Sequence, residues 1–171
     1  MKEDILFYEK QKFRQWWIWV LIVFLNGLFL VGLYVQIIEG KPFGNNPMSN
    51  VGLVVTSILT VLFTILLLNI KLETIVREDG IMIRFFPFHL KFRFFDWNKV
   101  AKSYIRQYFP MRDFGGWGIR QSINKQGKAF TVSGDMGLQL QLMNNDKITI
   151  GTRQPDKLKQ VLMTINQYKS F

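Results

Sequence analysis

The chain of 171 residues combines 49% hydrophobic residues with a net charge of +10, so a concentrated apolar block must offset a very basic remainder. It contains no Cys and a single His, which excludes disulfides, thiol nucleophiles and multi-histidine metal centres. We therefore expect neither a metal nor another cofactor.

Two uncharged runs, residues 16–38 and 51–70, are long enough to cross a bilayer as helices. They hold 23 and 20 residues, and about 20 apolar residues span a hydrocarbon core of about 30 Å. We predict two transmembrane helices, and we expect the first to stay in the mature chain because it is longer than the apolar core of a signal peptide. Residues 1–15 would then form an N-terminal tail, and residues 39–50 a short external loop.

The residues that flank these runs predict their orientation. Three basic residues precede the first run and two follow the second, whereas the connector balances one Lys with one Glu. The flanking residues are Lys10, Lys12, Arg14, Lys71 and Arg77. By the positive-inside rule both termini are cytoplasmic. Asn26, deep in the first run, is expected to bond to a carbonyl or to the other helix, and a transport role is not predicted.

Residues 71–171 form the predicted cytoplasmic domain, with 17 basic and 8 acidic residues and hence a net charge of +9. Apolar residues alternate with period two almost throughout, which predicts short strands, and Asp79-Gly80 and residues 124–127 are two of the expected turns. Pro155 and Asp156 then begin an amphipathic helix. The pattern predicts a membrane-anchored α+β protein in which seven or eight antiparallel strands form a barrel or sandwich capped by a C-terminal helix.

Four stretches of this domain resemble the bacterial pleckstrin-homology-like (PH-like) domains that follow a two-helix membrane hairpin. They read LETIVREDGIMIRFFPF, FRFFDWNKV, GGWGIR and VSGDMGLQLQLMNNDKITIGTRQPDKLKQVL. The resemblance implies a PH-like fold and a membrane-tethered binding or scaffolding role, and we expect a multi-pass protein of a bacterial inner membrane. It brings no catalytic residues, and we predict no enzymatic activity.

Basic residues of this domain are candidate contacts for anionic lipid headgroups. The candidates are Lys71, Arg77, Arg84, Lys91 and Arg93. If Leu90, Phe92 and Phe94 face the core, strand alternation turns the intervening lysine and arginine outward, beside the anionic leaflet. The alternative is a generic basic surface without a specific ligand. Aromatic and basic residues also interleave here as in platforms for single-stranded nucleic acid, but core alternation produces the same pattern, so nucleic acid is not predicted.

A glycine-rich segment, residues 109–118, contains the most unusual local cluster. Phe114, Gly115, Gly116 and Trp117 form a candidate partner-contact loop, because glycines permit close backbone approach and leave the indole prominent. The alternative is a sheet corner in which Trp117 plugs the barrel.

These observations predict a non-enzymatic module that binds a protein partner, or a second copy of itself, at the cytoplasmic membrane face. Tethering by two spans raises the effective concentration of such a module. Two alternatives stay open: sensing of an anionic lipid surface by the basic domain, and service as an accessory subunit of a transporter or membrane enzyme complex. Ionic strength separates headgroup binding, which fades with salt, from a packed protein contact.

Overall fold

A computed structural model describes residues 4–13, 15–122 and 127–169. The chain divides into a helical unit, Arg14–Asn69, and a sheet unit made of Met1–Phe13 and Ile70–Phe171. The helical unit is therefore inserted into the sequence of the sheet unit. The predicted turn at 124–127 lies outside the described residues except for Gly127.

The helical unit consists of α1 (Trp16–Leu33), a π-helical continuation over Tyr34–Ile38, and α2 (Asn50–Asn69). Both helical segments are long and apolar enough to cross a membrane, and they match the two uncharged runs to within one residue. The Asn26 side-chain amide donates to the carbonyl of Ile22 at 2.8 Å and to Oγ1 of Thr64 at 2.9 Å, so it joins α1 to α2. The hydroxyl groups of α2 donate to carbonyls four residues earlier; they belong to Thr56, Ser57, Thr60 and Thr64.

The first sheet has the strand order β1-β2-β3-β4. Its strands are β1 (Phe7–Lys12), β2 (Lys71–Val76), β3 (Gly80–Phe86) and β4 (Arg93–Asp96). All neighbours are antiparallel, and the β1–β2 register ends with Lys12 opposite Lys71. The whole helical unit thus occupies the connection of one β-hairpin, and the chain leaves and re-enters the sheet at two Cα atoms about 5 Å apart.

The second sheet has the strand order β5-β8-β9-β7-β6. Its strands are β5 (Val100–Gln107), β6 (Gly118–Gln121), β7 (Lys128–Thr131), β8 (Met136–Leu142) and β9 (Lys147–Gly151). The short helix α3 (Pro110–Phe114) precedes β6. Helix α4 (Pro155–Thr164) packs against β5 and β8, and its Leu158 and Leu162 are fully buried, as the predicted apolar stripe requires.

The α+β class and the terminal helix are confirmed, but a closed barrel and an all-antiparallel arrangement are wrong. A sheet closes only when its edge strands pair, whereas β4 and β5 are joined by a 3-10 turn at Trp97–Lys99 and belong to different sheets. Strands β7 and β9 run parallel. Residues 71–171 contain eight described strands, β2 to β9, in agreement with the predicted seven or eight, and β1 adds a ninth in the segment expected to be a tail.

The sequence pattern did not predict strand β1, because two of its three buried residues are polar. Its inward residues are Phe7, Glu9 and Gln11. The Glu9 carboxylate accepts hydrogen bonds from Oγ1 of Thr152 at 2.6 Å and from the Arg153 amide at 2.8 Å. Nε2 of Gln11 donates to the carbonyl of Gly151 at 2.6 Å. These bonds join β1 to the end of β9, in the other sheet, so the strand is part of the domain core.

Replacing Glu9 with Ala should destabilise the sheet unit by about 2–3 kcal/mol, because one buried and one partly buried donor lose their acceptor. The measurement is urea unfolding of the full chain in mild detergent, followed by β-sheet circular dichroism. The matched control is Lys10→Ala, an exposed position on the same strand, which should change stability by about 0.5 kcal/mol or less. Equal losses for the two variants would contradict an anchoring role for Glu9.

Candidate functional site

Two of the five candidate headgroup contacts, Lys71 and Arg84, form ion pairs with Glu73 of the same domain. Nε of Arg84 donates to Oε2 of Glu73 at 2.7 Å, and a second guanidinium nitrogen lies 2.6 Å from the same oxygen. Nζ of Lys71 lies 3.5 Å from Oε1 of the same carboxylate and 5.1 Å from the ring centroid of Phe86. Glu73 itself is buried. Lys71 and Arg84 therefore hold a buried acid, and much of their charge is already neutralised.

Two opposing effects, burial and the neighbouring positive charges, determine the pKa of Glu73. Burial by itself raises the pKa, but hydrogen bonding by Arg84 and the positive charges of Lys71 and Arg84 outweigh it, so the pKa lies below its ordinary value near 4.5. The charged Glu73 carboxylate therefore stabilises the folded protein fully when the pH is above the unfolded-state pKa of this group. This stabilisation is lost as the pH falls through its folded-state pKa.

The other three candidates lie apart from this cluster. Arg77 follows β2 at the end opposite Lys71, where its carbonyl accepts a hydrogen bond from Nε1 of Trp97 at 3.0 Å. Lys91 is exposed in the connection between β3 and β4. Since β2 is six residues long and each strand residue rises about 3.3 Å, Arg77 and Lys71 cannot belong to one compact patch. The structure does not bring the five candidates together.

Arg93 is exposed, as predicted, but it lies on the inner face of the first sheet rather than on the outer face. Arg93 is paired with buried Ile83, and directly opposed side chains share a face of the sheet. Its guanidinium carbon lies 5.8 Å from the ring centroid of Phe130, in the second sheet. The residues predicted to face the core are instead open to solvent, with Leu90 75% and Phe94 48% exposed. The alternation fails because regular pairing begins only at Arg93, after an irregular connection from Pro87.

The predicted partner-contact loop divides into a core part and a surface part. Phe114 ends α3 and is buried, 6.0 Å from the Tyr108 ring in an edge-on contact. Gly115 continues from it with φ of 69°, a left-handed helix cap that favours glycine. Burial raises the pKa of Tyr108 to about 12, so its hydroxyl stays protonated. Phe114, rather than Trp117, is thus the aromatic residue that fills the core.

Trp117 instead lines an apolar groove of about 340 Å³. Nε1 of Trp117 donates to the carbonyl of Gly134 at 2.9 Å, which fixes the half-buried ring, while the backbone of Gly116 is buried. We call this cavity the span-end groove. Its lining comprises Phe13, Ile70, Phe85, Phe88, Trp117, Gly118, Ile119 and Arg120. Phe88 is 59% exposed and Ile119 is 39% exposed, so apolar surface remains available to a ligand.

The groove involves both points where the chain passes into the helical unit. Phe13 is three residues before the first residue of α1, and Ile70 directly follows the last residue of α2. Sequence reasoning identified Trp117 but missed Phe88 and Ile119. The exposed Phe88 after Pro87 was a weak signal, because the motif reads equally well as part of an alternating strand.

The chain is similar in sequence to one recognised protein family. Residues 2–169 match a family of unknown function, DUF6141. The chain belongs to that family. The DUF6141 match covers the helical unit together with both parts of the sheet unit, β1 included. No curated protein matches the chain.

Acidification from pH 7 to pH 3 should lower the unfolding free energy of the wild type. The Glu73→Gln variant should lose less unfolding free energy over the same pH change. The wild type should lose this contribution below about pH 4.5, since the folded-state pKa is lowered. The measurement is the difference in unfolding free energy between pH 7 and pH 3, with Glu78→Gln, an exposed acid, as control. An acid dependence that is identical in wild type and Glu73→Gln would argue against the charged cluster.

The Phe114→Ala and Trp117→Ala variants should separate packing from surface exposure. Loss of the buried Phe114 ring should cost about 3 kcal/mol of unfolding free energy. Loss of the half-buried Trp117 should cost about 1 kcal/mol, mainly through one hydrogen bond. Urea unfolding measures both. A larger loss at Trp117 would identify the indole as the core plug.

Proposed function

We propose that this protein is a membrane-tethered, non-enzymatic PH-like module that binds a protein segment at the cytoplasmic face of the membrane. Tethering is supported by the length and apolar character of the two helical segments and by the pairing of their polar side chains. The flanking basic residues favour a cytoplasmic sheet unit. A bacterial inner membrane is the location that the family resemblance favours.

The PH-like assignment rests on element order in the sheet unit. A four-stranded antiparallel sheet is followed by a second sheet and then by a helix packed on that sheet. Two departures accompany this order, because β1 precedes the helical unit and β7 is parallel to β9. Neither departure affects the position of α4.

The span-end groove is the observation that carries the proposed binding role. If α1 and α2 cross the bilayer, chain connectivity holds Phe13 and Ile70 close to the headgroup level. A groove anchored at these two residues would meet the segments of membrane proteins that emerge from the lipid. Its lining is apolar apart from the Arg120 guanidinium and backbone groups, which suits anchoring of a large apolar side chain rather than acid–base chemistry.

The proposed occupant is a juxtamembrane apolar segment of a partner or of a second copy of this chain. Confinement to one membrane raises the effective concentration of such a segment, so a modest groove suffices. Lipid-surface sensing is the competing role, and it is favoured by Lys12, which is exposed and directly opposite Lys71 in the register. Like-charged pairs are unfavourable across strands, and because Glu73 already lies beside Lys71, an anionic headgroup would compensate mainly Lys12.

Photocrosslinking from position 88 in native membranes tests the proposed role. With a photoreactive amino acid in place of Phe88, we expect a discrete protein adduct that persists at 0.5 M salt, about threefold above the physiological ionic strength of about 0.15 M. Adding Ile119→Asp should abolish the adduct, because a carboxylate in the apolar lining must be desolvated. Adding Met143→Asp, at an exposed apolar residue outside the groove, should leave it intact.

Mass spectrometry of the adduct distinguishes a partner from a second copy of the chain. Adducts with lipid alone, or an adduct that survives Ile119→Asp, would count against protein binding in this groove. Loss of the adduct at high salt would favour headgroup binding instead.

A further inference from the structure

A second cavity lies where the two sheets part, and we call it the seam cleft. It has a volume of about 260 Å³ and is bordered by β4 on one side and by β7, β8 and β9 on the other. Its lining comprises Arg93, Phe95, Gln121, Gly127, Lys128, Phe130, Leu142, Asp146, Lys147 and Ile148. The open edge of β4 leaves the cleft accessible, since β4 has only β3 as its neighbour.

Three cationic side chains line this cleft. Arg93 approaches from the inner face of the first sheet, as its pairing with Ile83 requires. Lys128 begins β7 and is in register with Ile148 of the parallel strand β9, so Lys147 is one residue away along that neighbouring strand. The two lysines therefore lie at the same end of two adjacent parallel strands.

These cations lack the internal neutralisation that Lys71 and Arg84 have. Within residues 4–13, 15–122 and 127–169, the ion pairs involve Glu39, Glu73 and Asp113, and none includes a cation of the seam cleft. Asp146 is the one carboxylate in the described lining. It accepts a hydrogen bond from Nδ2 of Asn144 at 2.8 Å and is part of a turn.

The walls of the cleft strengthen electrostatic attraction. Phe95, Phe130, Leu142 and Ile148 provide apolar surface that displaces water and lowers the local dielectric constant. His89 packs on Phe130 with ring centroids 5.6 Å apart. Burial, followed by the charge of Arg93, lowers the pKa of His89, so the imidazole adds no positive charge near neutral pH.

We propose that the seam cleft binds a small phosphate, diphosphate or phosphate-ester anion that carries at least two negative charges. The Arg93 guanidinium presents a planar fork of donors and the two lysines supply compact charges, a combination that matches tetrahedral phosphate oxygens. The described lining carries three cations and one carboxylate, a net charge of +2, which an anion with at least two negative charges balances better than a singly charged ligand does. The volume falls just below the range of about 300–1,000 Å³ typical of drug-sized ligands, which favours a small one.

This inference goes beyond the proposed protein-binding role and shares no lining residue with the span-end groove. Either proposal can therefore fail without the other.

Titration calorimetry of the full chain in a non-ionic detergent, with inorganic pyrophosphate as ligand, tests the inference. The double variant Arg93→Gln/Lys147→Gln should weaken binding roughly tenfold or more, because charge-assisted contacts are the strong ones. The variant Asp146→Asn should tighten binding about threefold or more, because it removes the negative charge that opposes the ligand. A purely structural role of these residues would not produce opposite effects.

The matched control is Lys10→Gln/Lys157→Gln, which removes the same charge from exposed positions outside the cleft. It should change the affinity by about twofold or less, since solvent screens charges beyond about 8–10 Å. Equal weakening by the control, no binding by the wild type, or no tightening in Asp146→Asn would overturn the inference.

A soluble phosphate ester and a phosphomonoester lipid offer the same chemistry to the cleft. The titration is therefore repeated in nanodiscs of phosphatidylcholine with and without phosphatidic acid. If the acidic lipid weakens pyrophosphate binding in the wild type and in the Lys10→Gln/Lys157→Gln control alike, a headgroup occupies the cleft. Unchanged binding assigns the site to a soluble ligand.

Discussion

The antiparallel pairing of β1 with β2 is the constraint on which the rest of the structure depends. These strands are adjacent in the sheet although the entire helical unit separates them in sequence. Closing so long a connection costs entropy that rises only logarithmically with its length, and the bonds from Glu9 and Gln11 to the end of β9 offset that cost. The pairing brings the two chain crossings together at Lys12 and Lys71.

This arrangement explains why the charge of the domain is a poor guide to its binding surfaces. The basic excess of residues 71–171 suggests a broad cationic face, yet Glu73 engages two of the five candidate contacts. A buried carboxylate requires such partners, because desolvation would otherwise favour its neutral form. Lys128 and Lys147 line a cavity in which Asp146 is the one carboxylate of the described lining, and the sequence does not distinguish them from other surface lysines.

The two cavities of the sheet unit differ in chemistry and therefore suit different ligands. The span-end groove is apolar with one guanidinium, whereas the seam cleft combines apolar walls with three cations. Trp117 lines the apolar groove and Arg93 lines the cationic cleft. The packing of its own loop or strand positions each of them.

The sequence by itself determined the elements whose patterns are local. Two uncharged runs predicted the apolar helices, alternation predicted most strands from β2 to β9, and Pro155 marked the start of α4. Charge asymmetry, read by the positive-inside rule, supports the proposed orientation.

Only the tertiary structure decided which residues meet. Strand β1 stayed hidden because its buried residues Glu9 and Gln11 are polar, and their partners lie at the far end of the chain. Arg93 is exposed as predicted but lies on the other face of its sheet, and Phe114 is buried. Both differences arise because the element that packs opposite a residue, rather than its neighbours in sequence, decides its surroundings. Both cavities join residues from distant segments, and no local pattern specifies such a meeting.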